Sequence, residues 1–350
     1  FLAGLDVVSN TSVAEVALNN FFDKLPQMLS DSFTEQFLQS MTVEMSLILR
    51  VYCEHQMRQT TPAHEQTLQD VLPELTVMTK YAREKYDAIV VCNDEIQRTE
   101  LEFILNQLLK VCIHLDYSDE VGRRAMLETL QEIMSNLEVS ESIFESSIDI
   151  FARHSSSVND YLSMMTEFVG SFRDVYEASS SSAPSHLEQS LDALSIVEAS
   201  NDVISDDILI MANLKALDII RHVLCNQNIT SFSKYPILVA YLDEIVISSV
   251  NSRFASVQAA GLKCLGLCCA MEKELAAEYM TLFCDFFRLG QHAGRTIALQ
   301  VIFDLIFLYG REYCEGNASK DVLGGEGGVS PTEVLTTALY DPDEQIQGLA

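Results

Sequence analysis

The sequence predicts an all-α protein in which pairs of helices stack along the chain. A short pattern recurs, in which an acidic or polar turn leads into an apolar helix with small residues at fixed offsets. Its copies begin at Asp116, Ser256, His292 and Asp341. Elsewhere, apolar residues recur at three- and four-residue spacing, the period of a helix that buries one face. The alternating pattern bounded by turn residues that a β-strand requires is missing.

The recurring pattern also indicates the length of the stacked unit. Leu262 and Leu299 occupy the same place in two copies and lie 37 residues apart, about the length of one HEAT or armadillo helix pair. Such a pair cannot bury its apolar face alone, so neighbouring copies must stack. We therefore expect an irregular HEAT-repeat solenoid, an armadillo-like superhelix that serves as a scaffold.

Helix signals follow one another along the chain. Two apolar stripes have helical spacing: Leu101, Ile104, Leu105, Leu108, Leu109, Cys112 and Ile113, and then Leu209, Ala212, Leu217, Ile220 and Leu224. Asp206 and Asp207 place anionic side chains on a first turn, where the helix dipole favours them. Near the end of the chain, Ser330 is expected to cap a helix that starts at Pro331, with Glu333 reaching back to complete a capping box.

Composition divides these helices into two sets. Glu177 to Pro184 contains four consecutive serines and predicts a flexible surface linker. The expected organisation is a first set of HEAT helices at 1–176, an acidic, serine-rich linker at 177–205, and a second set at 206–350.

A glycine-rich loop is expected at 315–329, because the run Gly324-Gly325-Glu326-Gly327-Gly328 cannot be helical. The loop also explains why Ala298 and Ala350 lie 52 residues apart instead of 37. Repeat insertions of this kind form loops on one face of a solenoid. No Gly-Lys-Ser/Thr follows the glycines, so they do not form a phosphate-binding loop.

The charge is strongly acidic, with 22 basic and 51 acidic residues and a formal net charge of −29. Nucleic-acid binding depends mainly on Lys and Arg that neutralise phosphates, so the chain alone should bind DNA poorly. An acidic face of this kind either aids solubility or receives a basic segment of a partner. No uninterrupted apolar stretch reaches the 18 or so residues of a membrane helix. Because the chain begins at Phe1 and stops within a helix signal at Ala350, we expect it to be a fragment.

No catalytic, cofactor-binding or metal-binding residues are assigned. Cys264, Cys268 and Cys269 share one helix without a nearby histidine, which favours core thiols over a zinc site. His114 lies in an apolar helical run, where a satisfied core histidine is expected rather than a catalyst. No nucleophile-elbow, His-Glu-x-x-His or dinucleotide motif occurs, so the chain is not expected to be an enzyme.

Two residues are expected to hold neighbouring helices together. Gly266 is predicted to mark a close helix–helix approach, because a glycine inside a helix costs about 1 kcal/mol relative to alanine and needs a packing reason. Arg124 is predicted to lie inside the repeat stack, bonded to Asp116 or Asp119, because HEAT motifs usually place an arginine at this point.

Three sequence blocks resemble the condensin complex subunit 3 family, the CAP-G-type HEAT-repeat subunits of condensin. The blocks are Val43–Glu54 with Leu68–Glu74, Leu115–Arg124 with Leu130–Ile133, and Val257–Cys269 with Ala298–Asp304. They run in the family's order over residues 40 to 350, the middle to C-terminal part of such a subunit. Animal-like members carry a long charged helical hairpin between the second and third blocks, which this chain replaces with a short acidic segment.

The resemblance implies a non-catalytic scaffold subunit that binds the kleisin subunit and acts with the SMC ATPases. Double-stranded DNA would be gripped only jointly with the kleisin, during mitotic chromosome condensation in the nucleus and on chromosomes, and partly in the cytoplasm. No membrane, cofactor or small-molecule ligand is implied, and no kleisin-contact residue is carried over. The alternative is a nuclear-transport or vesicle-coat HEAT adaptor that binds basic cargo, although such adaptors have more uniform repeats.

Overall fold

The computed structural model describes residues 40–58, 72–180, 206–312 and 330–349. Within these ranges every regular element is helical and no strand occurs, which confirms the all-α prediction. Contacts between Cα atoms divide the chain into two compact units, Phe1–His154 and Ser155–Ala350.

The described part of the first unit contains five helices arranged in two layers. They are α1 (Val43–Arg58), α2 (Leu75–Val91), α3 (Glu95–Cys112), α4 (Glu120–Ser135) and α5 (Glu141–His154). Helix α2 packs against α4 in one layer, and α3 packs against α1 and α5 in the other. The layers are joined because α2 contacts α3 and α4 contacts α5, so consecutive helices form the pairs that the repeat pattern predicts.

Helix α3 shows how the sequence determines a helix and its buried face. Asp94 caps it, since its carboxylate accepts hydrogen bonds from the backbone N–H groups of Ile96 and Gln97 at 2.9 and 3.2 Å. The predicted apolar stripe faces the core, and five of its members are at most 5% exposed: Ile104, Leu105, Leu108, Leu109 and Cys112. Neighbouring helices are also joined by a polar contact, because the Ser146 hydroxyl of α5 donates to Oδ1 of Asn106 at 2.7 Å.

The second unit repeats this two-layer arrangement. Its helices are α6 (Val158–Ser180), α7 (Asp206–Cys225), α8 (Pro236–Tyr241), α9 (Ile247–Val250), α10 (Ala255–Met271), α11 (Lys273–Leu289), α12 (His292–Tyr309), α13 (Pro331–Ala338) and α14 (Glu344–Leu349). Helices α7, α10, α12 and α14 pack in succession to form one layer, while α11 and α13 pack together in the other. Leu262 and Leu299 therefore lie on adjacent helices of one layer, as the repeat offset requires.

A π-helical segment, Leu242–Val246, joins α8 to α9 without a break in the helical path. A π-helix has one more residue in each hydrogen-bonded turn than an α-helix. The sequence did not predict this segment, since π segments have no distinctive composition. Just before this segment, the Tyr241 hydroxyl lies 2.9 Å from Oγ1 of Thr166, and within it Glu244 pairs with Arg173. These contacts join the irregular helix to α6.

The predicted helix ends are partly confirmed. The Ser330 hydroxyl accepts a hydrogen bond from the backbone N–H of Glu333 at 3.2 Å and caps α13, but the return bond of a capping box is not formed. Helix α12 ends at Gly310, whose φ of 87° suits a residue without a side chain. Helix α6 continues to Ser180, four residues into the predicted linker. The rest of that linker, at 181–205, and the predicted glycine-rich loop lie outside the described residues.

Candidate interaction surfaces

Gly266 lies at a close approach between α10 and α12, which confirms the prediction from sequence. A Cβ atom at this position would lie 2.5 Å from Cγ2 of Val301 in α12, well inside ordinary van der Waals distance. A second glycine of α10, Gly261, marks a close approach to α9. A Cβ atom at Gly261 would lie 2.9 Å from both Cβ of Ser249 and the backbone nitrogen of Val250. Small residues in this helix therefore serve close packing.

An ion pair between Arg295 and Asp341 ties α12 to the turn before α14. Asp341 is only 4% exposed, and the arginine Nε also donates to the Phe287 carbonyl oxygen at 2.9 Å. Beside this pair, Nε2 of His292 lies 2.6 Å from the Asp343 carboxylate. His292 and Arg295, in the third copy of the recurring pattern, thus bind Asp343 and Asp341 at the start of the fourth copy. These contacts join one repeat to the next.

The predicted position of Arg124 is wrong. Its side chain is exposed, while Arg123 pairs with Glu120 one helical turn earlier. Arg123 is the fourth residue of α4, and Arg295 is the fourth residue of α12, so Arg123 is the counterpart of the arginine that joins repeats. The one-residue difference matters because it turns the side chain of Arg124 by about 100° around the helix axis.

The three cysteines of α10 behave as core residues. Cys264, Cys268 and Cys269 are buried and free, and burial raises the pKa of the Cys269 thiol to about 12. Within the described ranges no group of three or more potential metal ligands forms. Among the same residues, no helix is long and apolar enough to cross a membrane.

A cleft of about 450 Å³ opens in the first unit, where the approach to α2 meets the turn between α3 and α4. Its lining is drawn from two segments about forty positions apart: Leu72, Pro73, Glu74, Leu75 and Thr76, with His114, Leu115, Asp116 and Asp119. The walls are mostly apolar, three carboxylates line the cleft, and no lysine or arginine in the described part of the chain does. Sequence reasoning did not identify this cleft, although it had singled out both segments as parts of the family-like blocks.

Two of these carboxylates are held in fixed orientations. Asp116 accepts hydrogen bonds from the backbone N–H and the hydroxyl of Ser118, both at 2.8 Å, and these bonds lower the pKa of its carboxyl group. Asp119 caps α4 by accepting from the backbone N–H of Gly122 at 2.8 Å. Glu74 precedes α2 but makes no capping hydrogen bond. The cleft is therefore lined by ordered negative charge.

His114 differs from the expected satisfied core histidine. Its ring is half-buried, and Nδ1 is shielded from solvent yet has no hydrogen-bond partner within the described part of the chain. Burial lowers the pKa of the imidazole, Arg153 lowers it further, and Glu54 raises it. The ring therefore remains neutral near pH 7, with an unused polar atom beside the cleft.

Most of the described arginines are already matched with carboxylates. The pairs are Arg50–Glu54, Arg83–Glu132, Arg98–Glu102, Arg123–Glu120, Arg173–Glu244, Arg221–Asp218, Arg253–Asp206 and Arg295–Asp341. Each pair offsets a positive charge that would otherwise attract phosphate. The arrangement agrees with the weak DNA binding that the composition predicts.

Comparison with known proteins finds similarity to the condensin subunit 3 proteins. Residues 215–349 match the family model described as nuclear condensing complex subunits, C-terminal domain. Condensin complex subunit 3 of Schizosaccharomyces pombe is 27% identical over 336 residues, which cover 89% of this chain and 37% of that protein. The chain is thus similar to condensin complex subunit 3 over most of its length. Subunit 3 of Saccharomyces cerevisiae is 24% identical and covers 90% of this chain and 35% of its own length.

The solved structures agree in fold. A chain in the crystal structure of the S. pombe condensin Cnd3–Cnd2 subcomplex matches 99% of this chain and 41% of its own length, with a TM-score of 0.71 and 24% identity. The condensin subunit 3 fold, an all-α HEAT-repeat solenoid, is thus the fold of this chain. Condensin complex subunit 3 of Xenopus laevis is 22% identical to this chain, and the match covers 36% of that protein's length. The chain spans little more than a third of the curated relatives it matches.

Proposed function

We propose that this chain is part of a non-catalytic scaffold subunit of condensin that binds the kleisin subunit. With the kleisin it supports the grip on double-stranded DNA, while the SMC ATPases supply the energy for mitotic chromosome condensation. The site of action is the nucleus and the chromosomes, with a further pool in the cytoplasm.

The observation that carries the proposal is similarity to condensin complex subunit 3 over nearly the whole chain. Curated condensin subunits 3 from two yeasts align with 89% and 90% of it, and the family model covers much of the second unit. The S. pombe neighbour was solved with Cnd2, which supports the kleisin as the partner of this chain. Stacked helix pairs offer a long surface to a partner segment, in keeping with a scaffold role.

The arrangement of charge supports joint rather than independent DNA binding. The chain carries a formal charge of −29, and many arginines form ion pairs within it. Because non-specific affinity for DNA scales with the number of phosphates neutralised, additional cations must come from the kleisin or from other parts of the assembly.

Co-purification tests the proposal directly. The tagged chain is expressed in dividing cells and recovered at raised salt, which screens exposed charge and reduces capture of basic proteins by the acidic surface. A tagged acidic protein of similar net charge serves as the control. Kleisin and SMC proteins should be recovered with this chain and not with the control.

The second experiment mixes recombinant kleisin with the purified chain and measures whether the two form a complex. Failure to form a complex, together with recovery of transport cargo and a GTPase from cells, would favour the adaptor function instead.

A further inference from the structure

We propose that the cleft between the start of α2 and the α3–α4 turn binds an arginine side chain on an extended segment of a partner protein. This inference does not depend on which complex the chain joins. The segment is defined by its chemistry: a guanidinium group on a flexible aliphatic stem, presented without bulky neighbours.

The charges lining the cleft favour a cation. Glu74, Asp116 and Asp119 face the cleft, and no lysine or arginine lies among the described residues that line it. Asp116 and Asp119 are held by hydrogen bonds from Ser118 and the first turn of α4, so their orientation is established before a ligand arrives. Within the described residues, the Glu74 side chain has no ion-pair partner. Arginine suits such an arrangement because its planar guanidinium can donate to two carboxylates at once.

The walls of the cleft suit the rest of the arginine side chain. Leu72, Pro73, Leu75 and Leu115 give the cleft an apolar lining beside the carboxylates. Arginine buries its aliphatic stem against such a surface while its charged end remains at a polar rim. The volume of about 450 Å³ falls within the range of ligand sites in proteins. Apolar walls and negative charge in one cleft therefore match one amphipathic side chain.

His114 adds a second feature that points to a ligand. His114 lines the cleft, and its Nδ1 atom is shielded from solvent and has no hydrogen-bond partner among the described residues. Shielded polar atoms usually have a partner, and one without a partner needs an explanation. A polar group of a bound segment would satisfy it. The neutral ring leaves the attraction of the carboxylates for a cation undiminished.

Two sequence blocks that resemble the condensin subunit 3 family meet in this cleft. The end of the first, Leu72–Glu74, forms one wall, and the start of the second, with Leu115, Asp116 and Asp119, forms the other. Residues of both blocks thus contribute to one cavity as well as to helix packing.

Binding of a fluorescein-labelled arginine peptide to the 350-residue chain tests the inference. The probe is a short glycine- and serine-rich peptide with two arginines, and its control replaces both arginines with citrulline, which keeps the shape and removes the charge. Fluorescence anisotropy should show saturable binding of the arginine peptide only. No binding by the wild-type chain, or equal binding of the citrulline peptide, would overturn the proposal.

Charge variants locate the site. Glu74→Gln and Asp116→Asn should each weaken binding about tenfold, the effect of losing a hydrogen bond to a charged group. Glu100→Gln and Glu128→Gln remove the same charge from exposed positions of α3 and α4 and should change binding less than twofold, as screened surface charges do. Equal losses in all four variants would mean that only the general acidic field attracts the peptide.

A variant that fills the cleft tests the contribution of its shape to peptide binding separately from the contribution of its charge. Thr76 is exposed and lines the cleft, so Thr76→Phe should abolish binding while all three carboxylates remain. Thr99→Phe, at an exposed position of α3 away from the cleft lining, is the matched control and should bind as the wild type does. Helical circular dichroism confirms that each variant is folded. Unchanged binding by a folded Thr76→Phe chain would refute the assigned site.

Discussion

Replacing Gly266 with alanine should loosen the contact between α10 and α12. The new Cβ would lie 2.5 Å from Cγ2 and 3.1 Å from Cγ1 of Val301. Carbon atoms pack at about 3.5–4.0 Å, so the overlap amounts to roughly 1 Å. Overpacking of this kind costs about 1–3 kcal/mol, while alanine gains about 1 kcal/mol from helix propensity. We expect a net loss of about 1 kcal/mol, and a greater loss for Gly266→Leu.

A double-mutant cycle isolates the contact that causes this loss. Val301→Ala removes the two methyl groups that the new Cβ would meet, and alone it should cost about 1 kcal/mol because the side chain is half-buried. In the double variant the overlap disappears, so the two changes should couple favourably by about 1–2 kcal/mol. Hydrogen exchange read by mass spectrometry on peptides of α10 and α12 measures the local opening free energy. A local measure is preferable because the chain has two compact units and need not unfold in one step.

Gly170 in α6 provides the matched control, because a Cβ there would meet nothing within 4 Å. Gly170→Ala should stabilise its helix by up to about 1 kcal/mol. If Gly266→Ala were as stabilising, or if Val301→Ala gave no rescue, the reasoning from close helix approach would be refuted.

Three further predictions follow from the ion pairs, the thiols and the charge. Arg295→Met leaves the Asp341 carboxylate buried without its partner and should destabilise α12 by about 3 kcal/mol in hydrogen exchange. At the counterpart position, Arg123→Met leaves the exposed Glu120 carboxylate without its partner and should cost less than about 1 kcal/mol. Equal effects would contradict the role of burial. Among the described thiols, exposed Cys225 should react with a thiol reagent in the native chain, while buried Cys264 should react only after unfolding. Rapid native modification of the buried thiol, read by mass spectrometry, would show that α10 opens readily. The chain alone should bind duplex DNA weakly and gain affinity with the kleisin; tight, salt-sensitive binding in a gel-shift titration would reveal a basic groove.

Features that depend on neighbouring positions in the chain were predicted correctly. The buried stripe of α3, from Ile104 to Cys112, follows from helical spacing, because one helix can bury only one face. The Ser330 cap follows from the polar residue placed just before Pro331. Gly266 could be singled out because glycine destabilises the interior of a helix relative to alanine. A glycine at such a position therefore indicates that packing leaves no space for a side chain. The repeat offset likewise places α10 beside α12 in one layer.

Features that depend on the distance and rotation between helices needed the tertiary structure. The sequence offered two adjacent arginines in α4, and helix rotation decided that Arg124 faces solvent while Arg123 pairs with Glu120. The cleft lined by Glu74 and Asp116 arises only when α2 and α4 stack, because its walls lie about forty positions apart. Composition and periodicity thus determined the all-α repeat architecture, since they act through local propensity and the burial of one face. Which side chains meet across repeats was decided by packing, since a shift of one residue turns a side chain by about 100° around its helix.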